Sequence, residues 1–287
     1  ARFLDRIGKG IRGAPRDALV ADLCPPQMRG AAFGLRQSLD TVGAFVGPLL
    51  AVALMLLLDD DFRLVFWLAV IPGALAVLVL AIGVREPPRA ADAPAVNPIR
   101  RENLRRLSRG YWGVVAIGAV FTLARFSEAF LVLRAQQVGI SVALVPLVMV
   151  AMNLVYAASA YPFGALSDRV SHRALLAGGL AMLIAADLVL ALSSGWAGLL
   201  IGVALWGVHM GMTQGLLATM VADTAPADLR GTAFGVFNLV SGVAMLAASV
   251  LAGLLWDAFG AAFTFYAGAL FAATALLALM LRQPARA

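Results

Sequence analysis

The sequence predicts an all-α integral membrane protein made of two related helical bundles, with about nine spanning helices. Three observations lead there. The first is a repeat: Val20-Ala21-Asp22, Pro25, Arg29-Gly30 and Ala32-Phe33-Gly34 return without a gap 201 positions later as Val221-Ala222-Asp223, Pro226, Arg230-Gly231 and Ala233-Phe234-Gly235. A period that long is no solenoid repeat and suits a chain built from two halves of several helices each. The second is composition, with 62% hydrophobic residues, 13% charged residues and a mean hydropathy of +0.90, more apolar surface than a soluble domain of this length can bury. The third is a series of apolar stretches of about 20 residues separated by short polar loops, the length that crosses a hydrocarbon core.

Taken in order, the stretches predict helices over about 31 to 57, 62 to 84, 111 to 134, 143 to 165, 174 to 195, 197 to 222, 232 to 256 and 260 to 281. The opening segment, about 1 to 22, is too charged to be read as a span from hydropathy. It is read as one because its end aligns, through the repeat, with the end of the 197 to 222 helix. Residues 85–110 hold seven arginines, three acids and four prolines, a polar linker with a short amphipathic helix expected from Arg100 to Arg109. The chain therefore divides into three helices over residues 1–84, the linker over 85–110, and six helices over 111–287. The linker arginines fall on one side with Arg29, Arg169, Arg173, Arg230, Arg282 and Arg286, while Asp59, Asp60, Asp61, Arg63, Arg134 and Asp257 fall on the other. Positive charge marks the cytoplasmic face, which places linker and C-terminus inside.

Several function classes drop out. The net charge of +6 lies in loops without an aromatic-rich basic face, so it reads as topology and not as nucleic-acid binding. One cysteine, Cys24, excludes an internal disulfide, and His172 and His209 are too far apart in sequence to suggest a metal site. No nucleophile with acid and base, no phosphate-binding glycine loop and no metal-ligand spacing is present, so neither catalysis nor a cofactor is expected.

Three segments resemble the major facilitator superfamily. Gly164-Ala165-Leu166-Ser167-Asp168-Arg169-Val170-Ser171-His172-Arg173 is similar to its loop signature, with Ser171 where the family has glycine. Arg2-Phe3-Leu4 with Gly8, Gly10 and Pro15 is similar to its fourth-helix motif. Gly43 with Gly47-Pro48 is similar to its fifth-helix antiporter motif, with Ala51-Val52 where the family has a glycine pair. The resemblance covers essentially the whole chain and implies helices four to twelve of a twelve-helix carrier, so the first bundle is incomplete here. The halves align best if the first begins about 90 residues before Ala1, and a chain opening on Ala suggests a longer protein.

Charges inside the spans point to function. An ionised side chain near the bilayer centre costs about 2.5 to 3.5 kcal/mol on insertion scales. Arg2, Asp5, Lys9, Arg12 and Arg16 lie within about 80° of one another on a helix, a single stripe suited to a cavity wall. Lys9 and Arg12 read either as binders of an anionic group or as members of a structural ion-pair network. The resemblance links Arg2 to gating and coupling. Asp40, about ten residues into the next helix, reads as a protonatable coupling site or as the partner of Lys9 or Arg12, with Arg36 one turn nearer the cytoplasm. Arg125 and Glu128, at i and i+3, read as a pair with each other or as a second proton site with its counter-charge. Asn153, Tyr156 and Gln214 supply polar groups that read as interhelical hydrogen bonds or as substrate contacts, and His209 reads as a packing histidine or as a titrating residue. Asp22 with Arg29, and Asp223 with Arg230, occupy equivalent loops. Together with Asp168, Arg169 and Arg173 they read as gating contacts or static braces.

The functional expectation is a secondary active transporter, proton-coupled, moving a small solute by alternating access. The 21 arginines against one lysine suggest a bacterial cytoplasmic membrane. The expected partners are the lipid bilayer, a small-molecule substrate and the proton, with no nucleic acid and a monomer when complete. The cationic stripe favours anions and the helix-five motif favours efflux. The rival reading is a truncated, non-transporting scaffold or partner subunit.

Overall fold

The computed structural model describes residues 2–59, 61–83, 101–141 and 144–281, with side chains from Ile11 onward except that of Arg101. The side chains of Arg2, Asp5 and Lys9 and most of the linker lie outside the described residues. Eleven helices follow one another: α1 (Arg2–Leu23), α2 (Arg29–Leu57), α3 (Phe62–Gly83), α4 (Arg101–Arg106), α5 (Arg109–Ala124), α6 (Ala129–Gln137), α7 (Val145–Ser167), α8 (His172–Leu192), α9 (Trp196–Thr224), α10 (Arg230–Phe259) and α11 (Ala261–Leu281). Eight candidate spans result, with α5 and α6 counted together; α1 is long enough but too charged to qualify on composition.

The repeat is a repeat of structure as well as of sequence. Short 3-10 turns at Pro26–Met28 and Ala227–Leu229 precede helices that begin at Arg29 and Arg230, each turn and each helix start 201 residues from its counterpart. The two repeat phenylalanines meet: the rings of Phe33 and Phe234 are both buried, 5.9 Å apart. They belong to a small core with Ala21, Tyr111, Val115 and Val221 beneath the charged loops, where the Tyr111 hydroxyl donates to the Ala233 carbonyl at 2.9 Å. A larger core fills the second half around Trp206, Phe265, Leu183 and Met152. No residue of α3 is buried, and Phe66 and Trp67 present their rings outward, as expected of a lipid-facing helix.

The halves are joined by close backbone approach between α2 and α7. A Cβ at Gly34 would lie 2.6 Å from the Ala160 carbonyl oxygen and 2.9 Å from Gly164 Cα, and one at Gly164 would lie 2.7 Å from Gly34 Cα. Small residues bring helices together in this way where lipid supplies no hydrophobic drive. Ser38 then reaches across to donate to the Ala157 carbonyl at 2.6 Å.

One expected helix is interrupted. The stretch 111 to 134 breaks after Ala124, where Arg125 is extended at φ −114° and ψ 103°, and resumes at Ala129. Neither glycine nor proline lies between 125 and 128 to announce it. The break is held from outside, by the Ser249 hydroxyl accepting from Ser127 N–H at 3.2 Å.

Replacing Gly34 by alanine should lower the thermal midpoint of the purified protein, an overpacking cost of about 1–3 kcal/mol. Gly113→Ala, where a Cβ meets nothing within 4 Å, should leave it unchanged or raised; thermal melts in detergent check both.

Candidate functional site

The site begins at the loops. The N-cap position of α2 is Met28, which has no capping side chain, so its first amide groups need an acceptor from elsewhere. Asp168, at the end of α7, supplies it: its two carboxylate oxygens accept from Gly30 N–H at 2.7 Å and Ala31 N–H at 2.9 Å. A carboxylate at a helix N-terminus is favoured by the dipole as well as by the hydrogen bonds. Among the other loop residues singled out from sequence, Arg173 donates to the Met280 carbonyl at 2.8 Å and Arg169 is exposed.

The repeated acid and arginine exchange partners. Arg29 pairs with Asp223 at 2.8 Å, and Arg230 pairs with Asp22. Arg29 is buried, and its guanidinium also faces the carbonyls of Ala21 at 3.3 Å and Ala222 at 3.5 Å, near the C-terminal ends of α1 and α9. Cations are stabilised there by the unsatisfied carbonyls and the negative end of the dipole. Two ion pairs thus bind each half to the other across the pseudo-two-fold.

Behind this contact lies a cavity of about 290 Å³. The first half contributes Asp17, Arg36 and Gln37; the second contributes Thr122, Arg125, Gln214, Phe237, Asn238 and Ser241. Asp17 is flanked by two arginines, Arg16 at 3.1 Å and Arg36 at 3.6 Å, and Arg36 also donates to Gln37 at 2.8 Å. Arg125 enters from the opposite side, extended into the cavity by the break after Ala124; it touches Met210 and stands 3.9 Å from Glu128. Among the described residues the lining holds two arginines and one aspartate, a positive excess.

The residues expected from sequence divide accordingly. Arg125 and Gln214 line the cavity, while Glu128 stays beside Arg125 without lining it. Asp40 lies 3.8 Å from Arg16, with its side chain about half exposed. Arg12 is exposed, because α1 turns Ala14, Ala18 and Ala21 towards α10 and leaves the arginine stripe on the far side of the helix. Asn153 donates to Met149 O of its own helix at 2.9 Å. His209 is buried and its ring Nδ1–H donates to the Gly179 carbonyl at 2.7 Å, a packing contact.

Other residues were not singled out from sequence. Asp17, Gln37, Thr122 and Asn238 line the cavity; Asp17 sits about 100° from the centre of the stripe, and polar amides in a span carry little signal on their own. Asp187 of α8 was also missed. It is an isolated acid in an apolar helix, fully buried, and its being the lone charge between residues 174 and 195 was the signal available.

Comparison with known proteins gives the same architecture. The crystal structure of FucP, a Major Facilitator Superfamily transporter in the outward conformation, superposes with a TM-score of 0.72 at 16% identity, covering 95% of this chain and 72% of that one. That of the human organic anion transporter MFSD10 gives 0.70 at 19% identity, covering 93% and 67%. An uncharacterised MFS-type transporter of Methanocaldococcus jannaschii is 33% identical over 260 residues, 88% of this chain and 64% of the relative, so the chain spans somewhat under two thirds of that relative's length. The sequence matches the Major Facilitator Superfamily over residues 1–134 and 114–287. With that match, the spans and the two-half repeat, the chain belongs to the major facilitator superfamily and is a multi-pass membrane protein.

Proposed function

We propose that the chain is the greater part of a proton-coupled secondary transporter in a bacterial cytoplasmic membrane that moves a small anionic solute by alternating access. The observation that carries this reading is the cavity between the halves, lined among the described residues by Arg36 and Arg125 against one acid, Asp17. Its size suits a small metabolite and its charge suits an anion, which two arginines can hold by charge-assisted hydrogen bonds. The loop contacts supply the gate. Arg29 with Asp223, Arg230 with Asp22 and Asp168 on the α2 N-terminus hold the halves together on one face. Releasing them lets the halves rock apart on that side. With the charged loops cytoplasmic, this is the state closed to the cytoplasm. Asp40, 3.8 Å from Arg16, and Glu128, 3.9 Å from Arg125, are the acids proposed to exchange the coupling proton.

Reconstituted into proteoliposomes, the whole protein should move small organic anions faster under a pH gradient than without one, and neutral analogues slowly. Gradient-independent behaviour across a panel of carboxylates and sugars would sink the reading. Arg36→Gln should raise the half-saturation concentration for the transported anion about ten- to a hundredfold, the worth of one charge-assisted hydrogen bond, with the protein still folded.

Cys24, beside the exchanged pairs, is partly exposed and reports the gate. Arg29→Asp should raise its labelling by a maleimide several-fold, and the swap Arg29→Asp with Asp223→Arg should bring labelling back towards the original rate. Equal labelling in all three proteins would mean that the pair is a static brace.

A further inference from the structure

Helix α8 is apolar from Ala174 to Leu192 except at Asp187, which is completely buried and whose two carboxyl oxygens have no hydrogen-bond partner among the described residues. The carboxyl occupies a notch that only a glycine leaves open. A Cβ at Gly268 of α11 would lie 2.6 Å from Asp187 Oδ2 and 2.9 Å from Phe126 Cε1. The Phe126 ring packs on Trp206 at 5.3 Å and on Phe265 at 5.5 Å, and the buried indole Nε1 of Trp206 is likewise without a partner. Two orphaned polar groups therefore flank one aromatic ring.

Among the described residues the surroundings offer no counter-charge. From α9, His209 is engaged with the Gly179 carbonyl; from α6, Arg134 donates to the carbonyls of Leu190 at 3.0 Å and Ser193 at 2.8 Å. From the α5–α6 break, Arg125 faces Glu128 and Met210. In α11 the titratable side chain is Tyr266, partly exposed. At the ends of α8 itself, His172 and Arg173 lie at the charged-loop face, about four turns away. An ionised carboxylate in such a place would be desolvated and unpaired, a strongly unfavourable state. A plain packing role would be served as well by leucine. The neutral, proton-carrying carboxyl fits.

We propose that Asp187 is a proton-binding site of the second half, linked to the cavity through Phe126 and Arg125. Arg125 and Phe126 are consecutive residues of the unwound segment: Phe126 shares the Gly268 notch with Asp187, and Arg125 lies on the cavity wall. When the carboxyl O–H bond breaks and its proton passes to water, the carboxylate needs donors. Those become available when Phe126 withdraws and admits water or the Trp206 N–H, and the same movement shifts Arg125. The inference rests on the proton-coupled reading above and adds to it a site outside the cavity.

The test uses no solute, so its failure is distinct from failure of the transport reading. Wild-type protein in membranes is treated with a hydrophobic carbodiimide, which adds to protonated carboxyls, at pH 6 and pH 9, and Asp187 is read by peptide mass mapping. Labelling should fall by about tenfold or more between the two, as expected of a titrating group. Equal labelling at both values, or none at pH 6, overturns the proposal. In parallel, tryptophan emission should change with pH in the wild type and lose that change in Asp187→Asn and in Trp206→Phe. An undiminished pH response in a folded Asp187→Asn protein also overturns it; where that variant does not fold, the wild-type labelling decides. Gradient-driven transport with no titration at Asp187 keeps the transporter and removes this site.

Discussion

Hydrocarbon does not solvate charge, so every ionised group in the spans must find water, a partner or the end of a helix. The placement of α1, α2, α7 and α9 follows from this. Arg29 is buried yet sits where two helices present unpaired carbonyls together with the carboxylate of Asp223. Asp168 is drawn to the other kind of helix end, the uncapped amides that open α2. These contacts fix the halves at one face, the glycines of α2 and α7 permit the approach, and the polar residues behind them enclose the cavity.

The duplication is close in backbone and unequal in chemistry. Positions 201 residues apart line the same cavity: Asp17 and Ala218, Arg36 and Phe237, Gln37 and Asn238. In each of the first two pairs the first half provides the charge and the second an apolar group. Across from them the second half adds its own cation, Arg125, from a segment without a described counterpart. A symmetric frame thus holds an asymmetric polar lining, which gives a bound molecule one preferred orientation.

Much of the frame was legible in the sequence. Apolar length set the helices to within a few residues, and the repeat identified α1 as a helix despite its charge. The site was less legible, for definite reasons. The stripe of Arg12 and Arg16 was found by its periodicity, but which face of α1 meets its neighbours depends on the alanines at 14, 18 and 21, small residues that carry no hydropathy contrast in a membrane helix. The break at Arg125 has no local signal because it is held by Ser249, more than a hundred residues away. The exchange of partners between Asp22, Arg29, Asp223 and Arg230 is a tertiary fact. Either pairing satisfies the sequence equally.

That exchange has a consequence for how such a chain can arise. The two ion pairs are one contact written twice: the acid of each copy meets the arginine of the other. In a symmetric assembly this is the isologous arrangement, in which a patch is complementary to itself. A half-length ancestor bearing a single Val-Ala-Asp and a single Arg-Gly would make both bonds with a second molecule of its own kind. Fusing two genes would then inherit a working interface, and the unequal lining could diverge afterwards without disturbing the joint.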